Sequence, residues 1–203
     1  MSRSHAEFLL SAFDRKHWPK ADGIAEVAFV GRSNVGKSSC LNTLVGKGGL
    51  ARVSKTPGRT QAINFFDVQR RGAQLRFADL PGYGFAKVPK SVKATWDRMV
   101  GDYLKNRQDL ALVVVLVDMR HDATQLDSRM IQWLEDADRT GLLVLTKSDK
   151  VSKSRRLDRQ SRLCRGLGVD RGASLMFSAP NRTGLAELWA RIDEATGLVG
   201  GAD

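Results

Sequence analysis

Residues 31–39 read GRSNVGKSS, directly after an apolar run. Glycines, a lysine and two hydroxyls at this spacing suit a phosphate. Gly31 to Ser38 fit G-x-x-x-x-G-K-[ST] throughout, with a predicted strand before and a predicted helix after. Gly31 and Gly36 let the backbone turn tightly or take positive φ, so amides can point inward at oxygen anions. The helix N-terminus adds free N–H groups and the positive end of its dipole. Lys37 can reach the outer phosphates of a nucleotide, and the Ser38 hydroxyl is a hard oxygen ligand suited to Mg²⁺. Cys40 reads as a small packing residue rather than a reactive thiol.

Three further stretches bear on the base and the metal. Thr146-Lys147-Ser148-Asp149 ends the predicted strand GLLVLTK. The Asp149 carboxylate can accept two hydrogen bonds from the ring N–H and exocyclic amine of guanine. Adenine has no such donor pair, and an unpaired polar group makes the mismatch discriminating. Lys147 offers an aliphatic stem to cover the loop or the base. Alone, T-K-x-D also fits a solvated strand-end turn. Its place one β-α unit before Ser178-Ala179-Pro180 sharpens it, since the amides of Ser178 and Ala179 can meet the base oxygen. Asp79-Leu80-Pro81-Gly82 ends another predicted strand. Asp79 can hold a water on Mg²⁺, and the Gly82 amide can sense a γ-phosphate. Upstream, TPGRT offers Thr56 and Thr60; Thr60 adjoins a predicted strand and is the better placed to close over the metal. Loops ordered by a γ-phosphate and loosened by its loss make a conformational switch.

The elements that must position these residues alternate. Strands are expected at 24–30, 62–69, 74–79, 110–117, 142–145 and 174–177. Helices are expected at 37–45, 92–107, 124–138 and 154–167, with a last one carrying Leu185, Leu188, Trp189 and Ile192. This order implies an α/β fold: a P-loop G domain with a mostly parallel six-stranded sheet, one antiparallel edge strand and helices on both faces. Its ligands belong at the carboxyl ends of the strands. Residues 23–197 are expected to form the single domain, 1–22 an amphipathic segment packed on it, and 198–203 a flexible tail.

Of 203 residues, 42% are hydrophobic and 27% charged, which suits one soluble domain. The longest apolar run, Leu110 to Val117, is too short to span a membrane. Two cysteines exclude a disulfide framework or a zinc site and imply a reducing cytoplasm. A net charge of +11 favours a polyanionic partner, nucleic acid before an anionic membrane.

The ordered set GRSNVGKS, Thr60, DLPG, TKSD and SAP resembles the translation-factor-related GTPases. KTPGRTQAINFF, DLPGYGFAKV and TKSDK are closer still to the EngB family of bacterial GTP-binding proteins, over roughly residues 5 to 196. The resemblance implies a G domain binding GTP or GDP and Mg²⁺, linked to assembly of the large ribosomal subunit and to normal cell division and septation. It places phosphate binding on Gly31, Arg32, Ser33, Asn34, Val35, Gly36, Lys37 and Ser38. Magnesium falls on Ser38 and Thr60, with Asp79 behind it. Switch contacts fall on Gly58, Arg59, Thr60, Gln61, Ala62 and Asp79 to Gly82. Thr146 to Asp149 take guanine, and Ser178 to Pro180 complete the base pocket. Thr146 departs from the commoner asparagine of wider GTPases, which puts an asparagine-mediated tie to the phosphate loop in question. Tyr83 stands where many signalling GTPases place a water-orienting glutamine, so slow intrinsic hydrolysis is expected. Lys37, Thr60, Gly82 and Asn34 are the residues expected to act on the reaction. Asn34 can bind a K⁺ ion that supplies charge, or it can simply tolerate a turn conformation.

The expected partners are GTP and a large-subunit precursor with its RNA, for a monomer without stable membrane anchoring. Arg155, Arg159 and Arg162 share one face of a predicted helix, with Leu157, Cys164 and Leu167 broadly opposite. Lys150, Lys153, Arg156, Arg165 and Arg171 lie nearby, and Arg59, Lys87, Lys90 and Lys93 in or beside the switches. RNA phosphates or plain solvent would each suit such a face. A GTP-sensing RNA-binding module that needs no turnover is the alternative reading.

Overall fold

The computed structural model describes residues 5–46, 48, 49, 62–84 and 90–198, with the backbone alone at 90–93. Its centre is β2 (Glu26–Gly31), buried along its whole length. Parallel neighbours flank it: β4 (Ala73–Asp79) on one side and β5 (Leu110–Asp118) on the other, then β6 (Gly141–Thr146) and β7 (Ser174–Met176). Strands covered on both faces need apolar side chains in both directions, which is why LALVVVLVD shows no alternation. β3 (Ile63–Arg70) pairs antiparallel with β4 through the two-residue turn Arg71–Gly72. Both turn residues hold positive φ, 49° and 79°, the geometry that keeps hairpin strands in twist.

Among the described residues the sheet has seven strands, in the order β1-β3-β4-β2-β5-β6-β7, not the expected six. The extra strand is β1 (His5–Ala12), which pairs antiparallel with β3. The strand that opposes the rest is therefore β3, one place inside the edge. Read as an amphipathic segment, β1 escaped recognition because a bulge breaks its alternation. Phe8 faces Phe66 and Leu10 faces Phe65, so Leu9 is an extra residue. Parity flips there: Ala6 joins the core on one face of the sheet and Ala12 the core on the other.

Helices α1 (Lys37–Val45) and α5 (Leu185–Ala195) cover one face with Leu41, Leu44, Leu188, Trp189 and Ile192. Helices α2 (Lys90–Asn106), α3 (Gln125–Asp136) and α4 (Arg156–Leu167) cover the other with Val100, Tyr103, Met130, Leu134 and Leu163. Buried Glu26 in β2 is satisfied by Arg107 at 2.9 Å and by the Tyr103 hydroxyl, which pins the end of α2 under the sheet. Of the expected tail only Leu198 lies among the described residues.

Candidate nucleotide site

β2 runs into α1 through the loop 31–36, at the carboxyl end of the parallel strands. Gly36 sits at φ 105°, open to glycine and strained for any other residue. Gly31 is required for a different reason: a Cβ there would lie 2.7 Å from Leu116 O and 2.9 Å from Val35 Cγ1. Gly36, at the N-cap, has no side chain to cap α1, and no acid stands in the first turn. Those amides and the dipole end are thus left for an outside anion, and the glycine cradle fits a phosphate chain. Lys37 is paired with Asp79, both largely buried, so the lysine expected at the phosphates and the carboxylate expected at the metal meet. Ser38 is half-buried beside Lys37. A lysine, a hydroxyl and a carboxylate at one helix start suit a Mg²⁺-bound polyphosphate.

The Asp79–Gly82 segment is stitched to this loop. Ser33 N–H donates to Tyr83 O at 2.9 Å, and Tyr83 N–H donates to Gly31 O at 3.2 Å. Gly82 lies so close that a Cβ would come within 3.2 Å of Gly31 O. Leu80 is buried in the core, and Pro81 O accepts from Trp96 Nε1 at 2.8 Å. The Tyr83 ring turns away from the loop. It packs edge-on against Trp96, and its hydroxyl donates to Asp127 Oδ1 at 2.9 Å. Burial, then the Asp127 charge, push the phenol pKa up, so it stays protonated at working pH.

On the far side, the Thr146 hydroxyl donates to Val35 O at 2.7 Å. Threonine therefore supplies the tie to the phosphate loop that the missing asparagine had put in question. Lys147, at φ 58°, reaches back across the loop to Asn34 O at 2.6 Å, and Asp118 Oδ2 holds its ammonium at 2.9 Å. Asp118 also takes Arg120 Nη2 at 2.8 Å. Burial works against its charge, but the Arg120 and Lys147 hydrogen bonds outweigh it and hold its pKa well below the ordinary value. Asp149 accepts from Ser178 Oγ at 2.8 Å, which aims the carboxylate and lowers its pKa. The Ser178 amide, expected to face the base, already donates to Thr183 O at 3.1 Å. Of the two amides expected there, that leaves Ala179. Ser148 is buried and Pro180 exposed.

A model of the family described as 50S ribosome-binding GTPase matches residues 26–147. A probable GTP-binding protein EngB of Geobacter metallireducens is 49% identical over 193 residues, covering 95% of this chain and 93% of its own. Its counterpart in Streptococcus mutans is 42% identical, covering 96% and 98%. This chain belongs to the EngB family. It is a P-loop GTPase. A crystal structure of a probable GTP-binding protein engB aligns at TM-score 0.69 and 25% identity, covering 85% of this chain and 99% of that one.

Within that family frame, Gly31 to Ser38, Asp79 to Gly82, Thr146 to Asp149 and Ser178 to Pro180 converge at one end of the sheet. Gly58, Arg59, Thr60 and Gln61 lie outside the described residues, as do Thr56 and Lys87. Ala62 is buried at the start of β3. Asn34 is exposed and holds φ 62°, the turn conformation that asparagine tolerates. Sequence reasoning missed Asp118 and the Ser178 side chain, which lie 29 residues in sequence from Lys147 and Asp149 respectively. Only the parallel pairing of β5 with β6, and of β6 with β7, brings them together. The expected cationic face is also changed. Arg159 donates to Met119 O at 2.9 Å and to Asp122 at 2.6 Å, and Leu157 is 61% exposed rather than inward. Among the described residues no helix is long and apolar enough to cross a membrane. Cys40 is buried as expected, and burial pushes its thiol pKa up.

Proposed function

We propose that this protein is a GTP-operated switch in assembly of the large ribosomal subunit, acting as a cytoplasmic monomer in a family tied to cell division and septation. The observation that carries the reading is the pair of hydrogen bonds joining Ser33 and Gly31 to Tyr83. Any shift of the Asp79–Gly82 segment on loss of a γ-phosphate must break or bend that seam, so nucleotide state becomes surface shape.

In this reading amides of 31–38 other than those of Ser33 and Val35, which donate to Tyr83 O and Arg32 O, cradle the phosphates, and Lys37 leaves Asp79 for the β- and γ-oxygens. Ser38, Thr60 and Asp79 would hold Mg²⁺, which would neutralise phosphate charge when bound. Asp149 accepts from guanine, the Ala179 amide meets the base oxygen, and Lys147 covers the loop. Water attacks the γ-phosphorus, giving GDP and phosphate. With the Tyr83 ring turned into the core, no side chain at that position orients the water. Intrinsic turnover is therefore slow, and a ribosomal partner or the backbone completes the arrangement. A K⁺ ion on Asn34 rests on its exposed side chain, since φ 62° already accounts for asparagine there. Unchanged turnover when Na⁺ replaces K⁺ removes that ion from the scheme.

The deciding experiment is co-sedimentation with large-subunit precursors. Binding with a non-hydrolysable GTP analogue and not with GDP is expected; equal binding in both states refutes the switch. The buried Tyr83 also favours a GTP-sensing module that needs no turnover. A hydrolysis-blocked variant that still supports assembly would establish that version.

A further inference from the structure

A second cleft, of about 680 Å³, opens between the 150–155 segment, α4 and the loop after β5. It adjoins the smaller cleft of about 210 Å³ beside phosphate-loop residues 32–35. Five cations line it: Arg120, Lys150, Arg155, Arg159 and Arg162. Among the described residues Asp158 is the one carboxylate that lines it, and no aromatic ring does.

The five are not equivalent. Arg159 is committed to the fold through Met119 O and Asp122. Arg120 is held by Asp118. Arg155 has no ion partner among the described residues. Arg162 stands 3.7 Å from Asp158 with both side chains well exposed, a pair worth little. Lys150 stands 3.5 Å from Asp149 and is itself largely exposed. Three cations thus offer donors to the cleft, and two more raise its potential. Guanidinium forks match phosphate oxygens, and an open cleft admits a run of them rather than one enclosed anion. Without aromatic rings there is nothing for a base to stack on, so the backbone is what is read.

We propose that this cleft docks the phosphate backbone of RNA and that Arg120 carries its occupancy to the guanine side. The proposal rests on the reading of the protein as a ribosome-assembly switch. Arg120 lines both clefts. Its partner Asp118 also holds Lys147, which spans the phosphate loop to Asn34 O. A phosphate that draws the Arg120 guanidinium outward leaves Asp118 to Lys147. The Lys147 clamp then tightens, and nucleotide is bound more firmly. By linkage, nucleotide-loaded protein binds RNA more firmly too.

The test uses the full chain, a labelled duplex from large-subunit ribosomal RNA, and large-subunit precursors. Arg155→Gln/Arg162→Gln is compared with Lys16→Gln/Lys20→Gln, an equal charge change on exposed residues after β1, in a segment that packs against α2 and lines neither cleft. Affinity for the duplex is measured against salt. The cleft variant should lose about 1.4–1.8 from the slope of log K on log salt, and the control none. An unchanged slope, or no duplex binding by the wild type, overturns the cleft. Loss of precursor binding without loss of slope means that the cleft docks a protein, which also overturns it. If the wild type binds duplex but binds precursors equally with GDP and GTP analogue, the switch reading fails while the cleft stands. For the coupling, saturating duplex should tighten a fluorescent non-hydrolysable GTP analogue about fivefold or more, and Arg120→Gln should abolish that gain. No tightening in the wild type overturns the role of Arg120.

Discussion

The hydrogen bond from Thr146 to Val35 O is the clearest place to test how the base side and the phosphate side are joined. Thr146 is 2% exposed and Val35 3%, so water does not readily replace the lost partner. Thr146→Val keeps the shape and removes the donor. Leaving a buried carbonyl unpaired costs about 1–3 kcal/mol, which is about 5- to 150-fold in an equilibrium constant. Thr146 Oγ1 also lies 3.2 Å from Val117 O, a strand carbonyl that loses the same donor. Part of the cost falls on folding, and the rest on ordering the phosphate loop around nucleotide. We therefore expect a fluorescent GDP analogue to bind about five- to twentyfold more weakly. Thr146→Ser, which keeps the hydroxyl, should stay within about twofold of wild type on the same argument. Stopped-flow release and equilibrium titration would separate rate from affinity. If Thr146→Val binds within twofold of Thr146→Ser, the tie carries no binding energy and the reasoning fails.

Three other outcomes follow from the same geometry. Tyr83→Phe removes a buried hydrogen bond to Asp127 and should lower stability by about 1–2 kcal/mol in urea unfolding, with GTP turnover unchanged; a large fall in kcat would place the hydroxyl in the reaction. Gly184→Ala forces a Cβ to within 2.1 Å of Met176 O at a φ of 74° and should destabilise by more than about 2 kcal/mol, seen as a fall in Tm of at least about 4 °C; a melting curve like wild type would show that the loop before α5 yields freely. Asp118 has its folded pKa below the ordinary 3.8, so its stabilisation is present above 3.8 and lost as pH falls through the folded value. Asp118→Asn should therefore be less stable than wild type near neutrality, with the gap closing below 3.8; a gap constant with pH would remove Asp118 from the acid limb.

What could be read from the chain, and what could not, divides by distance along it. The phosphate loop carries its own geometry: Gly36, an uncapped helix start and Lys37 all fall within a few residues, and α1 begins and ends where the pattern predicts. Strand β5 was equally plain, because burial on both faces leaves a long apolar run. Strand β1 was hidden because one bulged residue destroys the period that reveals a strand. The cationic helix shows the same limit in another form. Helical spacing placed Leu157 inward with Cys164 and Leu167, yet burial along α4 begins only at Gln160. Residues 152–159 are all exposed or half-buried, so the first turn projects from the sheet and carries Leu157 with it. Periodicity gives the phase of a helix but not where along its length the sheet first meets it. The same displacement turns Arg159 against Met119 and Asp122 while Arg155 and Arg162 stay outward. A run of three arginines thus separates into one that builds the cleft wall and two that face whatever enters. That division is a property of packing between α4 and the β5–α3 loop, and a separation of 40 positions along the chain keeps it out of any local pattern.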